Sequence, residues 1–125
     1  MANPNIVNVT TILGTTTFLT PANATANTLL SNAASSGLVF KVNNIVAANV
    51  DGTNAINTTV SINNLAAGAG TDFPIVSTVS VPADASLIVV DKTTSFYLME
   101  NQSIVVTSGT ASKIAYTISY ESIAS

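Results

Sequence analysis

Lys113-Ile114-Ala115-Tyr116-Thr117-Ile118-Ser119-Tyr120-Glu121 alternates without a break. Ile114, Tyr116, Ile118 and Tyr120 fall on one side of an extended chain, and Lys113, Ala115, Thr117, Ser119 and Glu121 fall on the other. Period two is the spacing of a β-strand, whose successive side chains point to opposite faces. One face of this strand must be buried, while the other can meet water or a partner. A half-buried strand needs neighbours and a second layer, so the rest of the chain should supply both.

Working outward, Ser95 to Met99 and Ser103 to Thr107 read as strands joined by the polar turn Glu100-Asn101-Gln102, with Ser108-Gly109-Thr110-Ala111-Ser112 as the loop into the last strand. Leu38 to Val50 is a long strand whose alternation slips at Asn43-Asn44, which predicts a β-bulge or burial on both sides. Asp51-Gly52-Thr53-Asn54 is a turn, and Thr58 to Asn64 returns with Val60 and Ile62 inward. Ala66 to Thr71 is a loop tip of small residues, and Phe73 to Val81 is a strand that Pro74 places near an edge. Pro82-Ala83-Asp84-Ala85 turns into Leu87 to Val90. Ile6 to Leu13 and Thr16 to Thr20 read as two strands flanking Gly14. Pro21 to Asn27 reads as a loop, Thr28 to Ser31 as a short strand, and Ala33-Ala34 allows a helical turn ended by Ser35-Ser36-Gly37. The pattern is that of a single antiparallel β-sandwich of about eight strands, jelly-roll or immunoglobulin-like. Residues 1–5 form an N-terminal arm and residues 6–125 the one sandwich domain.

Composition agrees with that class. In 125 residues there are 18 Thr, 14 Ser and 14 Asn, beside 47% hydrophobic residues and only 7% charged ones. Disordered chains are poor in β-branched residues and rich in charge, the reverse of this one. Hydroxyls and amides therefore take over the solubilising role of charges. Such a surface suits a protein that works assembled or outside a cytosol, with assembly the preferred reading. The four sequons beginning at Asn8, Asn23, Asn57 and Asn101 are expected by chance from so much Asn and Thr. The Met1-Ala2-Asn3-Pro4-Asn5 start has neither basic residue nor apolar run, so no signal peptide is expected, and no stretch has the length of a membrane-spanning helix.

The chain has no Cys, His, Trp or Arg. Disulfides, thiol nucleophiles, Cys/His zinc sites and histidine acid–base chemistry are thereby excluded. With three lysines and a net charge of -3, nucleic-acid binding is not expected either. Asp51, Asp84 and Asp91 sit in turn sequences, where carboxylates accept backbone hydrogen bonds, and no catalytic carboxylate pair is expected among the six acids. Asp51-Gly52-Thr53-Asn54 lacks the further acidic ligands of a calcium loop. No histidine activates a serine, no Gly-x-Ser-x-Gly elbow occurs, and no glycine-rich loop precedes a helix. The protein is expected to be no enzyme and to bind no cofactor or metal. Tyr116 and Tyr120 read as core residues, with Tyr97 the freer aromatic.

Five segments carry a family resemblance. They are Asn3-Pro4-Asn5-Ile6-Val7-Asn8-Val9-Thr10, Ser35-Ser36-Gly37-Leu38-Val39-Phe40-Lys41-Val42-Asn43, Ala48-Asn49-Val50-Asp51-Gly52-Thr53-Asn54, Val81-Pro82-Ala83-Asp84-Ala85-Ser86-Leu87 and Ile118-Ser119-Tyr120-Glu121. In that order they resemble a group of small virion structural proteins of tailed bacteriophages, notably phages of aquatic cyanobacteria. The resemblance runs over most of the chain but lies in turns and strands, without catalytic motifs. It implies a particle component at the virion surface, with the major capsid protein or other virion proteins as partners and homo-oligomers in the particle. A head decoration or cement protein is the leading expectation. A neck or tail accessory protein is the alternative within the particle, and a carbohydrate-binding module using Tyr97 and the Ala66 to Thr71 loop is the alternative outside it. The expected partner contacts are Asn3, Pro4 and Asn5 of the arm, together with Tyr97.

Overall fold

A computed structural model describes residues 4–125. Among them the chain forms nine strands: β1 (Thr11–Leu19), β2 (Asn27–Asn32), β3 (Leu38–Asn49), β4 (Ile56–Asn63), β5 (Asp72–Val81), β6 (Ser86–Val90), β7 (Phe96–Leu98), β8 (Gln102–Ser108) and β9 (Ile114–Ala124). A single 3-10 turn, Lys92–Thr94, separates β6 from β7. Every pairing is antiparallel. One sheet runs β1-β9-β3-β6, with β7 also on β3, and the other runs β2-β8-β4-β5.

The order has a simple origin. Counting β6 and β7 as one interrupted strand, the first strand pairs with the last, the second with the next to last, and so inward to β4 with β5. A long hairpin rolled up once gives these pairs, and this decides for the jelly roll over the immunoglobulin order.

β9 is central to its sheet, between β1 and β3, and its alternation holds. Ile114, Tyr116 and Ile118 are fully buried and Tyr120 packs on the core, while Thr117 and Ser119 face outward. β3 keeps step with β9 through a bulge between Val42 and Asn44, the position of the sequence slip. The extra residue turns Ile45 and Ala47 inward after Phe40 and Val42, and all four belong to the core. Phe40 and Tyr120 meet with ring centroids 4.9 Å apart.

The N-terminal third departs from expectation. Residues 6–10 form no strand, and β1 runs unbroken through Gly14, which pairs with Glu121. Gly14 is not among the residues with positive φ, so the ladder of β9 carries it as an ordinary strand residue. Ala34-Ser35 is a plain turn, with Ser35 at φ 57° and Gly37 at φ 72°, and no helix forms there.

Asparagine does more than solubilise. Asn32, at the end of β2, donates to the carbonyls of Leu38 (2.9 Å) and Leu98 (3.2 Å) in the opposite sheet. Asn49, at the end of β3, donates to Val81 O (3.0 Å) and Pro82 O (3.2 Å) of the other sheet's β5 and its following turn. Both are buried and stand at opposite ends of β3, so each closes one end of the sandwich. Between them the Tyr116 hydroxyl crosses the core, donates to Thr107 O (3.1 Å) and accepts from the Thr58 hydroxyl. Tyr116 is the core residue that its alternation predicts, and its hydroxyl reaches the facing sheet.

Two expectations follow. Ile118→Asp puts a carboxylate on the buried face of β9 and should cost more than about 4 kcal/mol, whereas Thr117→Asp should stay within about 1 kcal/mol. Equal losses in thermal melts would overturn the assigned faces. Burial pushes the Tyr116 hydroxyl pKa above its ordinary value, opposed by the smaller effect of the Thr58 hydrogen bond. Ionisation therefore favours the unfolded chain. The stability contributed by neutral Tyr116 is complete below about pH 10 and is lost as pH rises through the folded-state value. Tyr116→Phe should cost about 1–2 kcal/mol at pH 7 by leaving the polar partners short of one bond. Melts between pH 10 and 12 should fall less steeply for the variant than for the parent; parallel curves would contradict this.

Candidate assembly surface

The two sheets treat their outer faces differently. On the β2-β8-β4-β5 sheet, Val105 points outward yet is buried, and the loop between β4 and β5 covers it. Gly68, at φ +75°, lies so close that an added Cβ would sit 3.4 Å from the Val105 side chain and 3.1 Å from Thr28 Oγ1. Asn63, buried at the end of β4, organises the loop: its Oδ1 accepts from Leu65 N (3.0 Å) and Gly70 N (3.0 Å), while its Nδ2 donates to Gly68 O (3.2 Å) and Asp72 Oδ1 (2.6 Å). Ser31 Oγ donates to Ala66 O (2.7 Å) and Ser103 Oγ to Leu65 O (2.8 Å), pinning the loop to β2 and β8. The loop of small residues is thus a structural cover.

Among the described residues, no loop covers the outer face of the β1-β9-β3-β6/β7 sheet in this way. Residues 4–10 cross only one end of it, where Pro4, Ile6, Val39, Tyr97 and Met99 line an open apolar cleft of about 230 Å³. Val39 and Ile123, a cross-strand pair on this face, are buried at 3% and 5% exposure. Ile6, Tyr97 and Met99 remain partly open beside them. A second, more polar hollow of about 440 Å³ lies further along, lined by Asn43, Asn44, Val46, Ile88, Asp91, Lys92 and Thr93. The bulge at Asn43 and the break between β6 and β7 make it.

The expected contact residues are placed as follows. Pro4 and Tyr97 share the apolar cleft. Asn5 is exposed, and its Oδ1 accepts from Val7 N (3.0 Å) in a local turn. Asn3 lies outside the described residues. Tyr97 and the Ala66 to Thr71 loop are on outer faces of opposite sheets, so they do not form one binding site.

Asp51 and Asp91 are engaged in turns. Asp51 accepts from Thr53 N (2.8 Å) and Asn54 N (3.1 Å), which hold its carboxyl below the ordinary range. Asp91 caps the 3-10 turn through the Thr93 hydroxyl and backbone, with the same effect. Among the described residues, no group of three or more acids is arranged to hold a metal ion. No helix is long and apolar enough to cross a membrane.

No protein-family model and no curated protein matches the chain. Solved structures do. A subunit of Bacillus endospore appendages, described as a novel family of disulfide-linked pili, superposes with TM-score 0.52 and 17% identity over 92% of this chain and 90% of that one. A chain of the T13 particle of infectious bursal disease virus superposes with TM-score 0.50 and 7% identity over 93% of this chain and 32% of that one. This chain therefore spans about a third of that viral protein. At such identities the likeness is one of fold: an all-β sandwich of the kind found in a pilus and in an icosahedral capsid.

Loss of the cover on the second sheet is directly testable. Asn63→Ala strips the partners from Leu65 N, Gly70 N and Gly68 O and should cost about 3 kcal/mol. Limited proteolysis should then cut between residues 64 and 71 in the variant and not in the parent. Equal resistance would mean that the loop is held without Asn63.

Proposed function

We propose that this chain is a non-enzymatic structural subunit of a virion, a decoration or cement protein bound to the outside of a tailed-phage head. The observation that carries the reading is the asymmetry of the sandwich: one outer face has its apolar centre at Val105 covered by its own loop, and the other offers an apolar cleft and a polar hollow. The scarcity of charge, the turn roles of Asp51 and Asp91 and the folds of the pilus and capsid subunits support a role in assembly. The linkage named for the pilus cannot carry over, because this chain has no cysteine. Pro4 and Tyr97 are the proposed contacts to the major capsid protein or to a further copy.

Attachment rests on apolar burial and on Asn, Ser, Thr and backbone hydrogen bonds, since nine charges are spread along the whole chain. Purified particles give the test. One copy for each capsid subunit or capsomer supports the head, and a single ring of copies moves the protein to neck or tail. At 1 M NaCl the screening length falls to about 3 Å and apolar contacts are not weakened, so washed particles should retain the protein. Moderate urea should strip it before the capsid opens. Release by salt alone at neutral pH would contradict the proposed mode of attachment.

A further inference from the structure

A sheet that ends in an unpaired strand offers backbone donors and acceptors to any strand that reaches them, and proteins normally blunt such edges. This sandwich blunts three of its four. β2 has six residues and a register shift between Thr28 and Leu30. β5 contains Pro74, two register shifts against β4 and Thr78 at φ 51°. The β6/β7 edge is broken by the 3-10 turn that carries Lys92 behind Asp91.

β1 has none of these devices. Its nine residues, Thr-Ile-Leu-Gly-Thr-Thr-Thr-Phe-Leu, include no charge and no proline, and they pair with β9 in one unbroken register. Seven of the nine are exposed. Among them are Ile12 at 52%, Leu13 at 59% and Phe18 at 78%. Gly14 adds to the case: an added Cβ would meet nothing within 4 Å, so no contact among the described residues explains the glycine. Glycine inside a strand commonly marks the close approach of another chain.

The geometry points to β1 as a self-pairing edge, taking β1 of a second copy of this chain in antiparallel orientation about a two-fold axis through Thr15. The other edges are blunted and β1 carries no charge, so an identical strand is the complementary occupant. Symmetry sets the register. Opposite residues in an antiparallel ladder point to the same face, and Ile12, Gly14, Thr16 and Phe18 share the outer face with Ser119 and Ile123. The register centred on Thr15 is the one that pairs all nine residues. It sets Ile12 against Phe18 of the second copy, twice, on the outer face. Aromatic and β-branched residues make favourable cross-strand pairs. It also sets Gly14 against Thr16 and diagonal to the second copy's Phe18. The contact involves about nine residues a side, fewer than the roughly 20–30 of a standard interface, so it should depend on concentration. This inference does not rest on the virion reading.

The natural absence of cysteine makes the test clean. In the pair, two Thr15 Cα atoms would be about 4.5–5.5 Å apart, within disulfide range. Two Thr11 Cα atoms would be roughly 26 Å apart, eight residues along the ladder. Under mild oxidation, Thr15→Cys should cross-link to a dimer at least about tenfold faster than Thr11→Cys, because only the former holds its thiols at high effective concentration. Both positions are exposed, so unchanged melting temperatures would show that both variants fold. Sedimentation of the parent protein should shift from monomer toward dimer between about 1 µM and 1 mM, as expected of a small interface. The double variant Ile12→Lys/Phe18→Lys, which places like charges opposite each other, should remain monomeric with its melting temperature kept. Equal cross-linking of the two cysteine variants would overturn the register. A parent that stays monomeric throughout, or a double variant that still dimerises, would overturn the pairing.

Discussion

Two apolar sheet faces can slide across one another at little cost, and what prevents it here is a set of buried hydrogen bonds running from sheet to sheet. Asn32 closes one end of the sandwich on Leu38 O and Leu98 O, and Asn49 closes the other on Val81 O and Pro82 O. Tyr116 holds the middle through Thr58 and Thr107. Each group is satisfied only when the sheets are aligned, and an unpaired buried polar group costs about 1–3 kcal/mol. The core of Val, Ile and Leu supplies the drive to collapse, and the polar bridges select one collapsed arrangement. Nine charges spread along the chain leave little material for an ion-pair network to do that selecting.

That alignment determines what is left outside. Once β4 is in place, Asn63 gathers the following loop over β2 and β8, and Val105 on the outer face of that sheet is covered. The other sheet keeps its cleft, its hollow and the bare edge of β1. A chain with so little charge has no long-range electrostatic means of finding or refusing partners. Recognition then falls to shape, to apolar side chains and to backbone groups, the means a sheet edge offers. The three blunted edges matter as much as the open one, because they restrict pairing to a single geometry instead of open-ended stacking.

Strands with one wet face were legible in the sequence because burial imposes period two on them, as in Ile114 to Tyr120. The bulge was legible too, since Asn43-Asn44 interrupts the same rule. Two parts were not. Ile6 to Val9 contains alternating apolar residues but leaves the sheet, and Gly14 looks like a break but is carried by its ladder partner Glu121; both depend on pairing across more than a hundred residues. The buried asparagines were also hidden. Nothing local separates Asn32, Asn49 and Asn63 from the Asn residues on the surface; only the carbonyls that converge on them do. Of the candidate surface, Pro4 and Tyr97 stand out in the sequence as possible contacts, but that they line one cleft is a property of the fold. The Ala66 to Thr71 loop had the composition of a flexible tip and proves to be a cover, because its backbone is bonded by Asn63.

The central claim is that assembly uses the face and edge of the β1 sheet while the opposite sheet keeps its own loop over Val105. Amide hydrogen exchange, followed residue by residue on the dilute free protein and on the assembled protein, tests this most directly. The account predicts new protection in β1 and around Tyr97 to Met99, with the loop between residues 64 and 71 unchanged. New protection over that loop and β5, with β1 exchanging as in the free protein, would contradict it.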